Sequence, residues 1–420
     1  MTNSTNLHSI HWEISSACQA MCPFCTRKSA GRGLLNFKQT YTSVEQVQKT
    51  LENIDWIEQI TFCGNLGDPM ANPDIVDIVS FIKVNQNQCG ININTNGGIG
   101  SPDKYAQLGR LGVKMIFGVD GTNGINELHR VNVKFNRVDE NIRAFAKSKT
   151  KEGILMVQFI VWDQNIGNLP AVVDWCKDVG VDVINVRESN GEEIQPVTNN
   201  NGVMLHYLSK KNTDGYRDLL NTEFTSDQFQ DLIDRWGKLK INQSLPPIDS
   251  ISEKPIEEVI TVFPKSTYES QDIMDKVPLP ISAEHKIEED KVKKFPIKCI
   301  SIIRENNSVK TNLFISHDGY VFPCCFIGSA FSQLQLDKTI IPEIDKISLI
   351  NKLGEIGLDK FNIHVRSLID ILNDTVLDEL VFNKLDTDDK LAYCGKTCRT
   401  FDNPTMNYRL QAEKNISQQS

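Results

Sequence analysis

The sequence predicts an α/β protein: a partial (β/α)6 TIM-like barrel followed by a small α+β C-terminal domain. Three observations carry this. Between residues 8 and 190, six short apolar runs alternate with amphipathic helical segments, the pattern of parallel strands joined by right-handed crossovers. That stretch is shorter than the roughly 250 residues of a closed eight-unit barrel, so a partial barrel fits better. Beyond residue 298 the pattern changes to a β-hairpin set among cysteines.

The six strands are expected at 8–14, 59–63, 90–95, 114–119, 154–161 and 182–186. Start and stop signals frame the helices between them. Ser43 with Gln46 forms a capping box ahead of 44–54. Asn72-Pro73 and Ser101-Pro102 each set a cap residue before a proline at the first helical position. Gly112 and Gly180 stand where helices should end. Boundaries are expected as a barrel over 1–215, a linker or insertion over 216–298, and a last domain over 299–420. Thr225 with Gln228 is a capping box for a helix over 225–240. The stretch 245–277 carries Pro246-Pro247, Pro255 and Pro264 among charges, and Pro278 and Pro280 follow. It reads as a long irregular connection, either a lid over substrate or a disordered linker.

The chain has 420 residues, 40% hydrophobic and 24% charged, which is the composition of a globular protein of two or three domains. Its net charge of −9 disfavours nucleic acid as a partner. Lys291-Val292-Lys293-Lys294 is read as a solvated linker. No stretch approaches the roughly 18 apolar residues of a membrane span, and the polar N-terminus lacks a signal core. Eleven cysteines in a cytoplasmic chain point to metal or redox chemistry rather than disulfides.

The densest group is Cys18-Gln19-Ala20-Met21-Cys22-Pro23-Phe24-Cys25, directly after the first strand. Three thiols so spaced can face one metal centre without distant chain. An iron–sulfur cube needs four ligands, so three leave one iron open to a small molecule. Zinc usually takes paired CxxC knuckles instead. Ferredoxin loops use two-residue gaps and a distant fourth ligand. A redox pair Cys22–Cys25 leaves Cys18 unexplained.

The other expected strand ends form one rim with this loop, as in barrels whose chemistry sits at the C-terminal ends of the strands. Gly64-Asn65-Leu66-Gly67-Asp68-Pro69, Asn96-Gly97-Gly98 and Asp120-Gly121 follow strands two, three and four. Each alone is ordinary turn chemistry; together on one rim they mark a site. Cys63, Cys89 and Cys176 read as buried small side chains, Cys63 near the rim.

The CxxxCxΦC pattern, with Phe24 in the aromatic slot, resembles the signature of the radical S-adenosylmethionine (SAM) superfamily. The resemblance implies that Cys18, Cys22 and Cys25 hold a 4Fe–4S cluster whose open iron chelates SAM. It implies that Gly64 and Asp68 belong to a variant of the loop that holds the SAM amino group. Asn96, in Thr95-Asn96-Gly97, would lie near the ribose and carboxylate. Gly118-Val119-Asp120-Gly121, His129-Arg130 and Arg137–Ile142 resemble the pattern of peptide-modifying members. Arg130 then either pairs with the SAM carboxylate or is a surface helix-cap arginine.

A second set of cysteines lies late: Cys299, Cys324, Cys325, Cys394 and Cys398. Residues 312–315, the turn Ser316-His317-Asp318-Gly319 and residues 320–323 predict a hairpin, with Gly319 at the positive-φ turn position. The segment 329–390 is mostly helical by period. The spacing from Gly319 to Cys324 resembles the SPASM and twitch extensions of the superfamily. This implies one auxiliary 4Fe–4S cluster held by Cys299, Cys324, Cys394 and Cys398, with Cys325 as an alternative to Cys324. A structural zinc site is the competing reading.

The implied activity is reductive cleavage of SAM to a 5′-deoxyadenosyl radical that abstracts hydrogen from a peptide or protein side chain. An electron donor such as flavodoxin or ferredoxin would serve it. A small-molecule dehydrogenase is the alternative within the superfamily. A molybdenum-cofactor cyclase is not expected, because the chain does not end in paired glycines. Outside enzymes, the alternative is a non-catalytic scaffold with two metal sites.

Overall fold

The computed structural model describes residues 6–23, 25–28, 38–189, 193–201, 203–211, 213–239, 293, 302–305, 308–336, 344–381, 387 and 390–397. Phe24, Cys299, Cys398 and the expected connection at 245–277 lie outside the described residues.

The six expected strands all form. They are β1 (Asn6–Trp12), β2 (Trp56–Phe62), β3 (Gly90–Thr95), β4 (Lys114–Gly118), β5 (Ile154–Val161) and β6 (Val183–Glu188). The fold is the expected α/β partial TIM-like barrel. The intervening helices are α1 (Val44–Leu51), α2 (Ile75–Asn85), α3 (Pro102–Arg110), the short α4 (Asn126–His129), α5 (Phe135–Ser148) and α6 (Leu169–Val179). The Ser43–Gln46 capping box closes the start of α1 in both directions. Ser101 caps α3 by accepting from Lys104 N, with Pro102 in the first turn. Gly180 ends α6 in the left-handed conformation. The Asn72-Pro73 expectation is corrected. Asn72 instead closes a 3-10 turn, Pro69–Ala71, and its Oδ1 accepts from Asp74 N at 2.8 Å, so α2 begins two residues later.

The chain divides into two compact units. One comprises Met1–Trp12, Thr42–Ile60 and Lys265–Ser420. Here β11 (Ser308–Ile315) lies parallel to β1, pairing Ile10, His11 and Trp12 with Leu313, Phe314 and Ile315. β10 (Ile302–Glu305) and β12 (Val321–Phe322) flank β11 antiparallel. The β11–β12 connection is the expected hairpin, with Gly319 at φ +87°. Helices Cys325–Leu336, Ile344–Ile356, Leu368–Asn373, Val376–Leu380 and Ala392–Thr397 follow.

The other unit comprises Glu13–Tyr41 and Thr61–Pro264. In it β3, β4, β5 and β6 run parallel in that order. Ile91 and Ile93 of β3, Met115 and Phe117 of β4 and Ile184 and Val186 of β6 are buried. Burial of one such side chain contributes about 1.5–3 kcal/mol. The register sets Thr95 beside Phe117 and Gly118 beside Gln158. The C-terminal ends of β3 and β4 therefore lie side by side, next to Gln158 of β5. Three strands of this unit were not anticipated, nor was β10 of the other. β7 (Ile194–Thr198) and β8 (Met204–Ser209) form a separate antiparallel ribbon, and β9 (Thr222–Thr225) pairs antiparallel with β6. Residues 225–228 form the capping box, but over a 3-10 turn, Ser226–Gln228, ahead of the helix Phe229–Gly237. Among the described residues no helix is long and apolar enough to cross a membrane.

Candidate functional site

A cavity of about 400 Å³ opens at the C-terminal ends of β3, β4 and β5. Cys18, Cys22 and Cys25 line it together with Gly64, Asp68, Asn96, Gly118, His129 and Arg130. Every one of these residues belongs to the second unit.

The cysteine loop is tied down from inside by Arg27, which is 3% exposed. Its Nη1 donates to Cys18 O at 2.7 Å, its Nη2 donates to Ala20 O, and its Nε donates to Cys25 Sγ at 3.3 Å. From the far side Met21 N donates to Val131 O at 2.9 Å. Met21 also packs with Ile125, Leu128, Trp162 and the ribbon residues Val197 and Leu208.

The loop after β2 is laced to the same segment. Glu13 is fully buried, and its Oε1 accepts from Leu66 N at 3.0 Å and from Asn65 N. Asp68 N donates to Ala17 O at 2.8 Å. Gly67 lies so close to Ser15 that a Cβ would stand 2.0 Å from Ser15 O, and no side chain fits there. At Gly64 a Cβ would meet Gly67 O, so the loop closes on itself.

Asp68 is 4% exposed. Its Oδ1 accepts from Met70 N (2.9 Å) and Thr95 Oγ1 (2.9 Å), and its Oδ2 from Asn96 N (2.8 Å). Burial raises its carboxyl above the ordinary value, and the donors on Asn96, Met70 and Thr95 pull against that rise. Asn96 faces the cysteines. Its Nδ2 lies 3.3 Å from Cys18 Sγ, and its Oδ1 accepts from Gln19 Nε2 at 2.8 Å. Burial pushes the Cys18 thiol up to about 12, with Asp68 adding to it, and the Cys22 thiol up to about 11. A metal must displace these protons to bind.

Asp120 does not line the cavity; it stands behind it, fully buried. Its Oδ1 accepts from Ile160 N at 2.8 Å, and its Oδ2 lies 2.5 Å from His129 Nδ1. Arg130 Nε is 2.7 Å from the same oxygen, off the N–H axis, so the contact is an ion pair rather than a linear hydrogen bond. Burial opposes the charge on Asp120, but Arg130, His129 and Ile160 N outweigh it and hold the carboxyl below its ordinary value. Arg130 follows α4, yet its side chain is only 12% exposed, which overturns the surface-cap reading.

Among the sequence-derived residues, the cavity brings together Cys18, Cys22, Cys25, Gly64, Asp68, Asn96 and Arg130. Arg27, Glu13 and Gln19 were missed. Glu13 and Gln19 bond to residues more than fifty positions away, and Arg27 bonds to its own loop through two carbonyls and one sulfur, contacts that no sequence pattern marks. The late cysteines lie in the other unit. Cys324 and Cys325 are half-buried and Cys394 is buried. Tyr393 OH donates to Phe326 O at 3.2 Å, which sets the turn carrying Cys394 against the start of the helix after Cys324.

Residues 12–176 match the family described as Radical SAM superfamily. The pre-heme d1 synthase of Dinoroseobacter shibae is 25% identical over 175 residues, 41% of this chain and 41% of that protein. The probable GTP 3′,8-cyclase of Methanococcus maripaludis is 27% identical over 182 residues, 41% of this chain and 57% of that protein. The chain thus spans about half the length of these curated relatives. Among solved structures, "Native anSMEcpe with bound AdoMet" superposes with a TM-score of 0.46 and 15% identity, covering 97% of this chain and 95% of that one.

Proposed function

We propose that this protein, whose residues 12–176 match the Radical SAM superfamily, is an enzyme that reductively cleaves SAM and abstracts a hydrogen atom from a peptide or protein side chain. The observation that carries the reading is the set of donors aimed at sulfur beside a cavity of cofactor size. Cys18 Sγ receives Asn96 Nδ2 and Ala20 N, and Cys25 Sγ receives Arg27 Nε. Donors so placed suit thiolates that carry a cluster's negative charge. On these donors we assign Cys18, Cys22 and Cys25 to a 4Fe–4S cluster, although among the described residues no three such side chains stand close enough to share a single metal ion. When bound, the cluster and SAM supply the electron and the 5′-deoxyadenosyl radical that removes the substrate hydrogen.

The chain's own part is binding, orientation and exclusion of water. Three protein donors occupy Asp68, and a carboxylate has about four acceptor positions, which leaves room for the SAM ammonium. Gly64 lets the loop close beside it. Arg130 is aligned by Asp120, and its guanidinium on the cavity wall would hold the SAM carboxylate. The cavity, about 400 Å³, is of the size that encloses one such ligand.

Cys299, Cys324, Cys394 and Cys398 are assigned to an auxiliary 4Fe–4S cluster, with the barrel, linker and last domain at 1–215, 216–298 and 299–420. The Tyr393–Phe326 hydrogen bond supports this by drawing two of the cysteine-bearing segments together. A flavodoxin or ferredoxin would supply electrons in the cytoplasm. A small-molecule substrate is the second reading, favoured by the curated relatives' names, which include a GTP cyclase.

The test is anaerobic. The protein is reconstituted with iron and sulfide, given SAM and a strong reductant, and assayed for 5′-deoxyadenosine beside a variant with Cys18, Cys22 and Cys25 changed to Ala. Product from the native protein alone supports the activity. Absence of product with full iron loading, with and without added peptides or nucleotides, counts against it. Stimulation by peptides but not by nucleotides favours the first substrate reading, and the reverse favours the second.

A further inference from the structure

Arg27 lies on the cavity wall and is 3% exposed, and neither the sequence motif nor the resemblance gives it a role. We propose that Arg27 is a positioning residue that preforms the cysteine loop and raises the reduction potential of the cluster that the loop holds; this rests on the radical SAM reading above.

A guanidinium presents five N–H donors in one rigid plane. Here the two terminal nitrogens donate to the carbonyls of Cys18 and Ala20, on one side of the loop, while Nε donates to Cys25 Sγ on the other. One planar group thus fixes the spacing between the first and third thiols of the motif. The described residues between Cys18 and Cys25 carry no helix or strand of their own, so backbone ladders do not supply this order. Without such a brace, ordering the loop on metal binding would cost conformational entropy that the folded chain has already met.

The second effect is electrostatic. Reduction adds one electron to the cluster, taking its core from the 2+ to the 1+ level and leaving the whole assembly more negative. A buried cation donating a hydrogen bond to a ligand sulfur stabilises that added charge, and hydrogen bonds to sulfur are among the factors that set cluster potentials. Arg27 is 3% exposed, so water screens it little. Lys28 lies beside it, close enough for its charge to act on Cys22 and Cys25, and its Nζ donates to Thr198 O at 3.5 Å.

The experiment compares native protein with Arg27→Gln and Arg27→Lys. Each is reconstituted anaerobically. Iron and sulfide per chain, the rate of cluster formation, and the midpoint potential of the SAM-responsive cluster signal are measured by redox titration followed by electron paramagnetic resonance. Arg27→Gln removes the charge, and its midpoint is expected to shift to more negative potential. Arg27→Lys keeps the charge but cannot span two carbonyls and a sulfur at once, so its cluster is expected to form more slowly than native. A native midpoint in Arg27→Gln would overturn the electrostatic half. A native rate of cluster formation in Arg27→Lys would overturn the preforming half. If Arg27→Gln does not fold, the midpoint of Arg27→Lys is read in its place: a near-native value is expected because the charge is kept, and a large negative shift despite the kept charge would overturn the electrostatic half. Failure of the native protein itself to form a SAM-responsive cluster is a different result, and overturns the radical SAM reading instead.

Discussion

The guanidinium of Arg130 lies against the backbone of Gly118, so that a Cβ on Gly118 would stand 2.4 Å from Arg130 Cζ. The absence of a side chain at the end of β4 is what lets the arginine reach Asp120 while remaining on the cavity wall. Gly118→Ala is expected to push the guanidinium aside. Overpacking of this kind costs about 1–3 kcal/mol. Calorimetric titration with SAM should show weaker binding, and thermal unfolding a lower midpoint. Native values in both would mean that Arg130 has another resting place.

Asp120 links that arginine to pH. Its carboxyl is held below the ordinary value despite burial, because Arg130, His129 and Ile160 N favour the charge. In the unfolded chain the group titrates at about 3.9. A depressed folded value means that its stabilisation is fully present above that pH and is lost as pH falls through the folded value. Asp120→Asn leaves Arg130 buried without its counter-charge, which costs about 3–5 kcal/mol near neutrality. The gap between native and variant stability should therefore narrow below about pH 4. Urea unfolding across the acid range measures it, and a gap that stays constant to the lowest pH argues against the pair.

Asp68 has two separable duties. It braces the ends of β3 and the loop after β2 through Thr95, Asn96 and Met70, and it lines the cavity. Asp68→Ala removes an acceptor from three donors. Leaving buried donors unmet costs about 1–3 kcal/mol each, so the unfolding midpoint should fall and SAM affinity with it, while iron content holds. A variant with normal SAM affinity would place the ammonium elsewhere.

For the late cysteines, Cys394→Ala is expected to remove one cluster's worth of iron and leave the SAM-responsive cluster in place. Metal analysis with electron paramagnetic resonance reads both. Loss of zinc rather than iron would return this region to the structural zinc reading.

The barrel was legible because its signals are local. Strand positions follow from apolar runs, and the starts of α1 and α3 follow from cap residues that bond to backbone three positions away. The extra strands were not legible. β7 and β8 carry Pro196 and exposed Ile194, and their burial depends on packing over Met21 and Leu128. The early end of β1 was hidden for a similar reason. Glu13 leaves the strand direction to bind Asn65 N and Leu66 N, residues more than fifty positions away.

By itself the sequence determined the fold class, the thiol spacing in 18–25 and the rim on which Gly64, Asp68 and Asn96 meet; it set Asp120 on that rim as well, which the structure places behind it, and it left Arg130 between two readings. The features it determined depend on periodicity and on short spacings, which any chain carries in its order. Only the tertiary structure decided how charge is arranged behind that rim: that Arg130 answers to Asp120, that Asn96 and Arg27 point at sulfur, and that Glu13 clasps the neighbouring loop. Buried polar groups must find partners wherever the fold brings them. Such partners are fixed by three-dimensional proximity, and they range from two residues away, Arg27 to Cys25, to more than fifty, Glu13 to Leu66.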